Sequence, residues 1–383
     1  AKNLEFAFRV YARALSIMPE DSEVHQLLEA LSREMDALAR YAAVLEKIAQ
    51  TYAVVESNIM LYREAADHYA ELKLKVDEER SLRAILSLAP HDPGAYKQLT
   101  ALLEKEKAWA DLVAIMEWKL DLDGESFEDD RRMEFHKKLA VTYEEELHQD
   151  DTALSWWLEY AGYDPDNTTC LESILRHSKR VKAWSKSADA LRKLADLADK
   201  DEEIVKYLHE LGAITEKELE LLDQAIAIYR EIVSINDTDQ VALSALDNLY
   251  TMHELWEDLE EVLHSRIAIA EEGQLEELRT RYALVLERLK RNSEAASVYN
   301  DLWEESANPK YAIKASEMYM AIDEPSQGVE ILQGLLTSDS ADYSPSEKAS
   351  MWTQLAAIQK KALNDPAGAV ESLGHATELD EGH

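Results

Sequence analysis

The 383-residue chain contains few of the residues that end or bend secondary structure. It has 10 glycines and 8 prolines, well below the share found in average proteins. So few turn-forming residues in a chain of this length favour many helices with short connections, and they argue against a glycine-rich phosphate loop. Hydrophobic residues make up 46% of the chain, enough for a continuous core, which excludes wholesale disorder.

Cysteine and long apolar runs are also scarce. Cys170 is the single cysteine, so an intramolecular disulfide is excluded. No stretch approaches the roughly 18–20 apolar residues of a membrane span, and residues 1–7 show no signal-peptide pattern. We therefore expect a cytoplasmic protein without membrane insertion. A secreted protein without disulfides is the alternative, since a targeting segment could lie outside this sequence.

Positive charge is scarce relative to negative charge. The chain has 41 lysines and arginines against 77 aspartates and glutamates, a net charge of −36. Such a surface repels phosphate backbones and anionic membranes, so we expect no nucleic-acid partner. A basic protein partner is compatible with this charge, and solubility alone is the alternative explanation.

A short pattern recurs along the chain. It consists of a small residue, an aromatic residue four positions later and a helix-ending residue, as in Ala225, Tyr229 and Asp237. The closing positions of five copies are Pro19, Pro90, Pro165, Asp237 and Ala307, and the Pro90 copy lacks the small residue. Their spacings of 71, 75, 72 and 70 residues predict a repeat architecture.

Each period predicts four helices, which we name A, B, C and D. In one repeat they span 202–217, 221–234, 239–251 and 256–272. Helix B of that repeat carries its apolar residues on one helical face: Ala225, Ile226, Ile228, Tyr229 and Ile232. In three copies a tryptophan occupies the start of helix D: Trp109, Trp184 and Trp256.

Three further helix starts are predicted where a capping residue precedes a proline. These pairs are Asn308-Pro309, Ser344-Pro345 and Asp365-Pro366. The polar stretches 121–130 and 337–346 are predicted to be irregular, mobile loops that join a helix D to the next helix A.

Helices A and B resemble the tetratricopeptide repeat (TPR), which has Trp, Leu, Gly/Ala and Tyr in its first helix and Ala, an aromatic, Ala and Pro in its second. The matching residues are Trp352, Leu355, Ala356, Ala369, Leu373 and Ala376; Leu139, Ala140, Tyr143, Ala153, Trp157 and Pro165; and Leu211, Gly212, Ala225 and Tyr229. Helices C and D are a degenerate version. The resemblance implies an all-α fold: a right-handed α-α superhelical solenoid of stacked antiparallel helix pairs, with about 21 helices.

The predicted array covers residues 1–383 as one solenoid. It comprises a partial repeat 1–52, four-helix repeats at about 53–122, 128–198, 201–272 and 275–337, and a final helix pair 346–381. Because the array starts in a helix B, we expect a piece of a longer protein whose first helix exposes an apolar face around Phe6, Tyr11 and Leu15. That uncapped helix could self-associate. Alternatively, residues 1–5 or a partner chain cover it.

The sequence contains little that indicates a catalytic site. Cys170 falls at the small-residue position of a helix C and is interpreted as a core residue. No arrangement of nucleophile, base and oxyanion site is recognisable. We therefore predict no catalytic residues, no cofactor and no enzyme activity.

Two sequence patterns are similar to known metal-binding motifs. The Glu-x-x-His pairs Glu145/His148 and Glu261/His264 are typical of di-iron helix bundles, but they belong to different repeats and are interpreted as chance pairs. The stretch 121–124 resembles part of a calcium loop. It has Lys119 where an acid is required and Asp130 where a glutamate is required, so no metal site is predicted.

The candidate binding site is a repeated set of residues on helix A. Four residues after the small position stand Glu144, Glu216 and Glu287, and one residue after it stand Val141, Ala213 and Leu284. The TPR resemblance implies that first helices line a concave groove, so these carboxylates are predicted to form a column that a basic partner reads. A solvated helix face is the alternative. Since no asparagine follows the small positions, a clamp for chaperone tails is not expected.

The leading functional hypothesis is an interaction scaffold that binds a protein or peptide through the solenoid surface, as part of a larger protein or complex. A regulatory or targeting region of a larger enzyme is a second hypothesis. A structural spacer without a discrete ligand is the third.

Overall fold

The computed structural model describes residues 2–337 and 343–379. Within them, regular structure consists of 21 α-helices and one 3-10 turn. The fold is an all-α, TPR-like solenoid, which confirms the predicted class and helix number. The chain divides into two compact units: an N-terminal half ending at Ala183 and a C-terminal half beginning at Trp184. The prediction of one continuous array over 1–383 stays a prediction.

The N-terminal half contains ten α-helices, and each of them contacts the next along the chain. Their bounds are α1 Lys2–Ile17, α2 Ser22–Glu34, α3 Leu38–Ala49, α4 Val55–Leu72, α5 Lys75–Leu88, α6 Pro93–Lys105, α7 Trp109–Asp123, α8 Asp129–Glu145, α9 Asp150–Ala161 and α10 Thr168–Arg180. The 3-10 turn Gly124–Ser126 lies between α7 and α8.

The C-terminal half contains the other eleven helices of the described residues, which also contact one another in sequence order. They are α11 Trp184–Leu197, α12 Asp201–Lys217, α13 Leu222–Ile235, α14 Gln240–Met252, α15 Trp256–Ile269, α16 Glu272–Arg288, α17 Asn292–Ser306, α18 Pro309–Ala321, α19 Pro325–Thr337, α20 Pro345–Lys361 and α21 Pro366–Leu379. Helices α12 to α15 match the four predicted bounds to within three residues. Trp109, Trp184 and Trp256 each begin a helix, as predicted.

Side-chain caps fix where the helices begin. Helix α18 begins after Asn308, whose side chain accepts a hydrogen bond from the backbone of Lys310 at 3.2 Å. Ser344 and Glu347 form a capping box at the start of α20. Asp365 accepts from the backbone of Gly368 at 3.0 Å before α21. All three predicted caps are confirmed.

Among the described residues, many helices are followed by a residue whose backbone is in the left-handed conformation, and none of these residues is glycine. Eleven residues have positive φ: Asp36, Lys73, Lys107, His148, Lys182, Glu220, Glu254, Lys290, Ala307, Asp323 and Asn364. After α6, Lys107 has φ 56°, and Ala108 N–H donates to the Leu103 carbonyl at 2.9 Å. This is the hydrogen bond that closes a Schellman-type helix end. At these eleven positions a residue other than glycine adopts the left-handed conformation, at a cost in backbone strain.

Small residues allow the helices of a pair to approach closely. Ala153 and Ala225 are fully buried. At Gly212 on α12, an added Cβ would lie 2.8 Å from Cε1 of Tyr229 on α13, closer than van der Waals contact permits. A close helix contact is therefore present at Gly212, and Ala153 and Ala225 lie in the core.

Two expectations about local structure were wrong. The stretch 121–130 is mostly helical, because α7 continues to Asp123 and α8 begins at Asp129. Phe127 is buried and the centre of its ring lies 5.1 Å from that of Phe135, so an apolar contact anchors this connection.

In α1, Phe6 is exposed as predicted but Leu15 is fully buried. In the predicted loop 337–346, residues 338–342 lie outside the described residues, as do 380–383 at the chain end.

None of the helices in the described ranges combines the length and the apolar character that crossing a membrane requires.

The close packing around Ala225 predicts that this site cannot accept a larger side chain. Ala225→Leu should destabilise the chain by about 1–3 kcal/mol, because it overpacks the contact between α12 and α13. Ala227→Leu is the matched control, since Ala227 lies two residues away on the exposed face of α13. Urea unfolding of the two variants measures the difference. Equal stabilities would show that the repeat register is misassigned.

The left-handed turns predict that glycine stabilises the chain at Lys107. Lys107→Gly should raise the free energy of unfolding by about 0.5–1 kcal/mol, because relief of the left-handed strain exceeds the added entropy of the unfolded chain. The control is Lys97→Gly, at an exposed position inside α6, which should cost about 1 kcal/mol. Both values come from chemical denaturation. Destabilisation by both substitutions would contradict the assigned turn geometry.

Candidate protein-binding site

The predicted site residues lie on α8, α12 and α16, which are the A helices of three repeats. Glu144, Glu216 and Glu287 are each half-buried. Glu144 belongs to the N-terminal half, whereas the other two belong to the C-terminal half. That the three form one column on a concave surface stays a prediction.

Each of these carboxylates accepts a hydrogen bond from an aromatic side chain on the following helix. The donors and distances are Trp157 Nε1 to Glu144 Oε2 at 2.8 Å, Tyr229 hydroxyl to Glu216 Oε2 at 2.9 Å, and Tyr299 hydroxyl to Glu287 Oε1 at 2.6 Å. The donors are the aromatic residues of the repeated small-residue pattern. The carboxylate and the aromatic residue are therefore two ends of one repeated contact that joins helix A to helix B.

Sequence reasoning identified both members of these pairs without recognising the pairing. The glutamate precedes its aromatic donor by 13, 13 and 12 residues in the three copies. A nearly constant separation across a helical hairpin was the available signal.

Glu144 has the most extensive surroundings of the three. Arg176 on α10 donates a hydrogen bond to its Oε1, and His177 Nε2 lies 3.1 Å from its Oε2. His177 is 1% exposed, and its Nδ1 is 2.6 Å from Asp150 Oδ1. Burial opposes the charge of Glu144, but the contacts with His177 and Trp157 outweigh it, so the pKa of Glu144 is lowered. This carboxylate is ionised at neutral pH and ties three helices together.

The contacts of Glu216 and Glu287 raise the pKa of their tyrosine partners. Burial, followed by the hydrogen bond to Glu216, raises the pKa of Tyr229. The same two causes raise the pKa of Tyr299 beside Glu287. Both hydroxyls therefore remain protonated donors at physiological pH. Lys314 on α18 also approaches Glu287, with Nζ 3.9 Å from Oε2.

Apolar side chains lie next to the carboxylates on the same helix face. Leu284 precedes Glu287 by three residues, a spacing that places both on one face of α16, and it is 45% exposed. Val141 lies three residues before Glu144 and lines an open cavity of about 510 Å³ with Trp109 and Lys138. Ala213, at the corresponding place on α12, is half-buried. Each of these three A helices thus presents an aliphatic side chain beside an oriented carboxylate.

Cys170 is fully buried, which confirms its interpretation as a core residue. Glu145 ends α8, whereas His148 lies in the turn that follows. Glu261 and His264 both lie on the exposed side of α15. Asp123 accepts a hydrogen bond from His91 Nδ1 at 2.6 Å.

No family model matches the chain, and no curated protein matches it. Solved structures do resemble it. A crystal structure of YrrB, described as a TPR protein with an unusual peptide-binding site, has 14% identity and a TM-score of 0.31; the match covers 51% of this chain and 95% of that one. A chain of Naa15/Naa10 bound to HypK-THB has 12% identity and a TM-score of 0.35, over 100% of this chain and 62% of that one.

A third similar structure is a tetratricopeptide repeat protein from Parabacteroides merdae ATCC 43184. It has 12% identity and a TM-score of 0.25, and the match covers 83% of this chain and 98% of that one. All three TM-scores are below 0.5, so these structures do not indicate the function of this chain.

The network around Glu144 predicts a pH-dependent contribution to stability. Glu144→Gln should cost about 1–3 kcal/mol at pH 7, because charge-assisted hydrogen bonds are lost. The pKa of Glu144 is lowered from 4.5, so its contribution is present above that pH and is lost as the pH falls through the folded-state pKa. The difference between wild type and variant should therefore shrink below about pH 4.5.

The matched control is Glu145→Gln, since Glu145 is adjacent but exposed. It should change stability by no more than about 0.5 kcal/mol. Urea denaturation at several pH values measures all three proteins. A gap between wild type and Glu144→Gln that stays constant down to pH 3 would contradict the assigned network.

Proposed function

We propose that the chain is a protein-interaction scaffold without catalytic activity, and that its A helices bind a basic segment of a partner protein. The observation that supports this most is the repeated pairing on one helix face: an aliphatic side chain next to a carboxylate held by an aromatic donor. A partner segment with alternating apolar and basic side chains is complementary to this surface. A cytoplasmic location is part of the same proposal.

The orientation of the carboxylates favours binding. Glu216 and Glu287 are held by the hydroxyls of Tyr229 and Tyr299, so less side-chain entropy is lost when a partner binds. Their side chains still reach solvent, as the 20% exposure of Glu287 shows. A lysine or arginine of the partner can therefore contact a carboxylate oxygen without disrupting the helix pair.

The net charge of −36 acts on association. Long-range attraction accelerates the encounter with a basic partner, and this effect weakens as salt screens the charges beyond about 8 Å at physiological ionic strength. The apolar contacts at Leu284 and Val141 act at short range and slow dissociation.

The proposal is tested first by selection from a displayed library of random peptides on the purified chain. We expect the selected peptides to be enriched in lysine or arginine interspersed with apolar residues. Leu284→Ser should weaken their binding, whereas Leu373→Ser should not. Leu373 is 44% exposed, almost the same as Leu284, but it lies on α21, a helix B. Selected peptides without basic residues, or equal loss in both variants, would contradict the proposal.

The role of the carboxylates is tested by a triple variant, Glu144→Gln, Glu216→Gln and Glu287→Gln. Its association with a selected peptide should be slower than that of wild type at low salt, and this difference should fade as salt increases. The control carries the same charge change at exposed glutamates elsewhere: Glu172→Gln, Glu257→Gln and Glu371→Gln. Stopped-flow fluorescence at two salt concentrations gives the rates. Equal slowing in both variants would assign the effect to net charge and not to these sites.

A further inference from the structure

A second site lies in the N-terminal half, away from the A-helix residues described above. Glu29 on α2 and Glu64 and His68 on α4 bring one ligand atom each to within 4.8 Å of one another. Glu64 and His68 are four residues apart, so both lie on one face of α4. Glu29 lies on a different helix, α2, and its carboxylate comes close to both of these side chains.

His68 is the residue that distinguishes this group from a surface patch of acids. It is 7% exposed, and its buried Nε2 has no hydrogen-bond partner. That nitrogen lies 3.8 Å from Glu64 Oε1, which is too far for a hydrogen bond. A buried imidazole nitrogen without a partner is costly unless something else binds it.

We propose that Glu29, Glu64 and His68 bind one Zn²⁺ ion, with a fourth position open to water. Two carboxylates and one imidazole are a ligand set that zinc accepts in sites with an open position. In a tetrahedral site the ligand atoms lie roughly 3.3–3.6 Å apart, given metal–ligand distances of about 2.0–2.2 Å. Small rotations of the two glutamate side chains close the difference from 4.8 Å.

Neighbouring side chains hold Glu64, one of the three proposed ligands. His25 Nδ1 lies 2.9 Å from Glu64 Oε2, and its Nε2 lies 2.8 Å from the carbonyl of Pro19. Tyr41 donates a hydrogen bond to the other oxygen of Glu64. Each carboxylate oxygen has a second lone pair, so Glu64 can accept these contacts and still bind a metal.

The opposite nitrogen of His68 is placed for the same role. Its Nδ1 faces Glu71, at 3.9 Å from Oε2. A histidine that binds zinc through one nitrogen commonly directs the other toward a carboxylate, which fixes the ring orientation. The 3.9 Å separation is longer than a hydrogen bond, so Glu71 would have to move toward His68 to fix the ring.

Room for the fourth ligand is also present. A cavity of about 480 Å³ adjoins the group, and His25, Glu29, Glu64 and Asp67 line it.

Arg33 competes with a metal ion for Glu29. Arg33 Nε donates to Glu29 Oε1 at 3.1 Å, and its guanidinium also binds Glu71. Removal of Arg33 should therefore favour the metal.

The experiment is a zinc titration of the full chain, freed of metal with EDTA, in competition with a chromogenic zinc chelator. We expect one tight site per chain above a background of weak binding to exposed carboxylates. Glu29→Gln and His68→Gln should each weaken the tight site by at least about tenfold, the loss seen even for groups outside the ligand shell. Arg33→Gln should tighten it. The matched control, His264→Gln on α15, should change nothing.

Several results would overturn the assignment. One is weak, multi-site binding only; another is equal zinc affinity of wild type and Glu29→Gln. Circular dichroism checks that each variant folds, and the variant at the half-buried Glu29 decides the question if His68→Gln does not fold. Ca²⁺ and Mg²⁺ should not displace zinc, because both prefer oxygen-only sites. Displacement by either ion would show that the imidazole does not bind the metal.

Discussion

The close approach of two helices at a small residue is the constraint on which each repeat depends. At Gly212 there is no room for even a methyl group beside the ring of Tyr229, and the hydroxyl of that ring in turn binds Glu216. The small residue brings the backbones together, the aromatic ring fills the space and the carboxylate satisfies the polar end of the ring. Since buried tyrosine hydroxyls need a partner, packing and polarity select these three positions together.

The same contact would allow a structural feature to serve as the proposed binding surface. A glutamate that satisfies a tyrosine or tryptophan donor from inside the helix pair still has an oxygen lone pair toward solvent. Repetition of the pair on α8, α12 and α16 places an oriented negative charge at the same position of each A helix. Left-handed turns and polar caps repeat with the same period, as at Lys107 and Lys182, so each helix begins and ends at an equivalent place.

Much of the fold could be predicted because the information is local and repeated. Helix bounds followed from the period, and the starts at Asn308 and Ser344 followed from capping chemistry. Leu15 and Phe127 were misjudged because their burial depends on residues from other helices. For the site, the sequence supplied Glu144 but not Arg176 and His177, which reach it from a helix about 30 residues away. Glu29 and Glu64 likewise lie on different helices, α2 and α4, and come close only in the folded chain.

The central claim is that the glutamate and the aromatic residue of each pair stabilise the repeat jointly. A double-mutant cycle on Glu216→Gln and Tyr229→Phe, measured by urea unfolding at pH 7, tests it most directly. The account predicts a coupling energy of about 0.5–3 kcal/mol, as for residues that share one hydrogen bond in a buried contact. Additive effects, with a coupling energy within about 0.3 kcal/mol of zero, would contradict it, because the carboxylate would then be an independent surface charge.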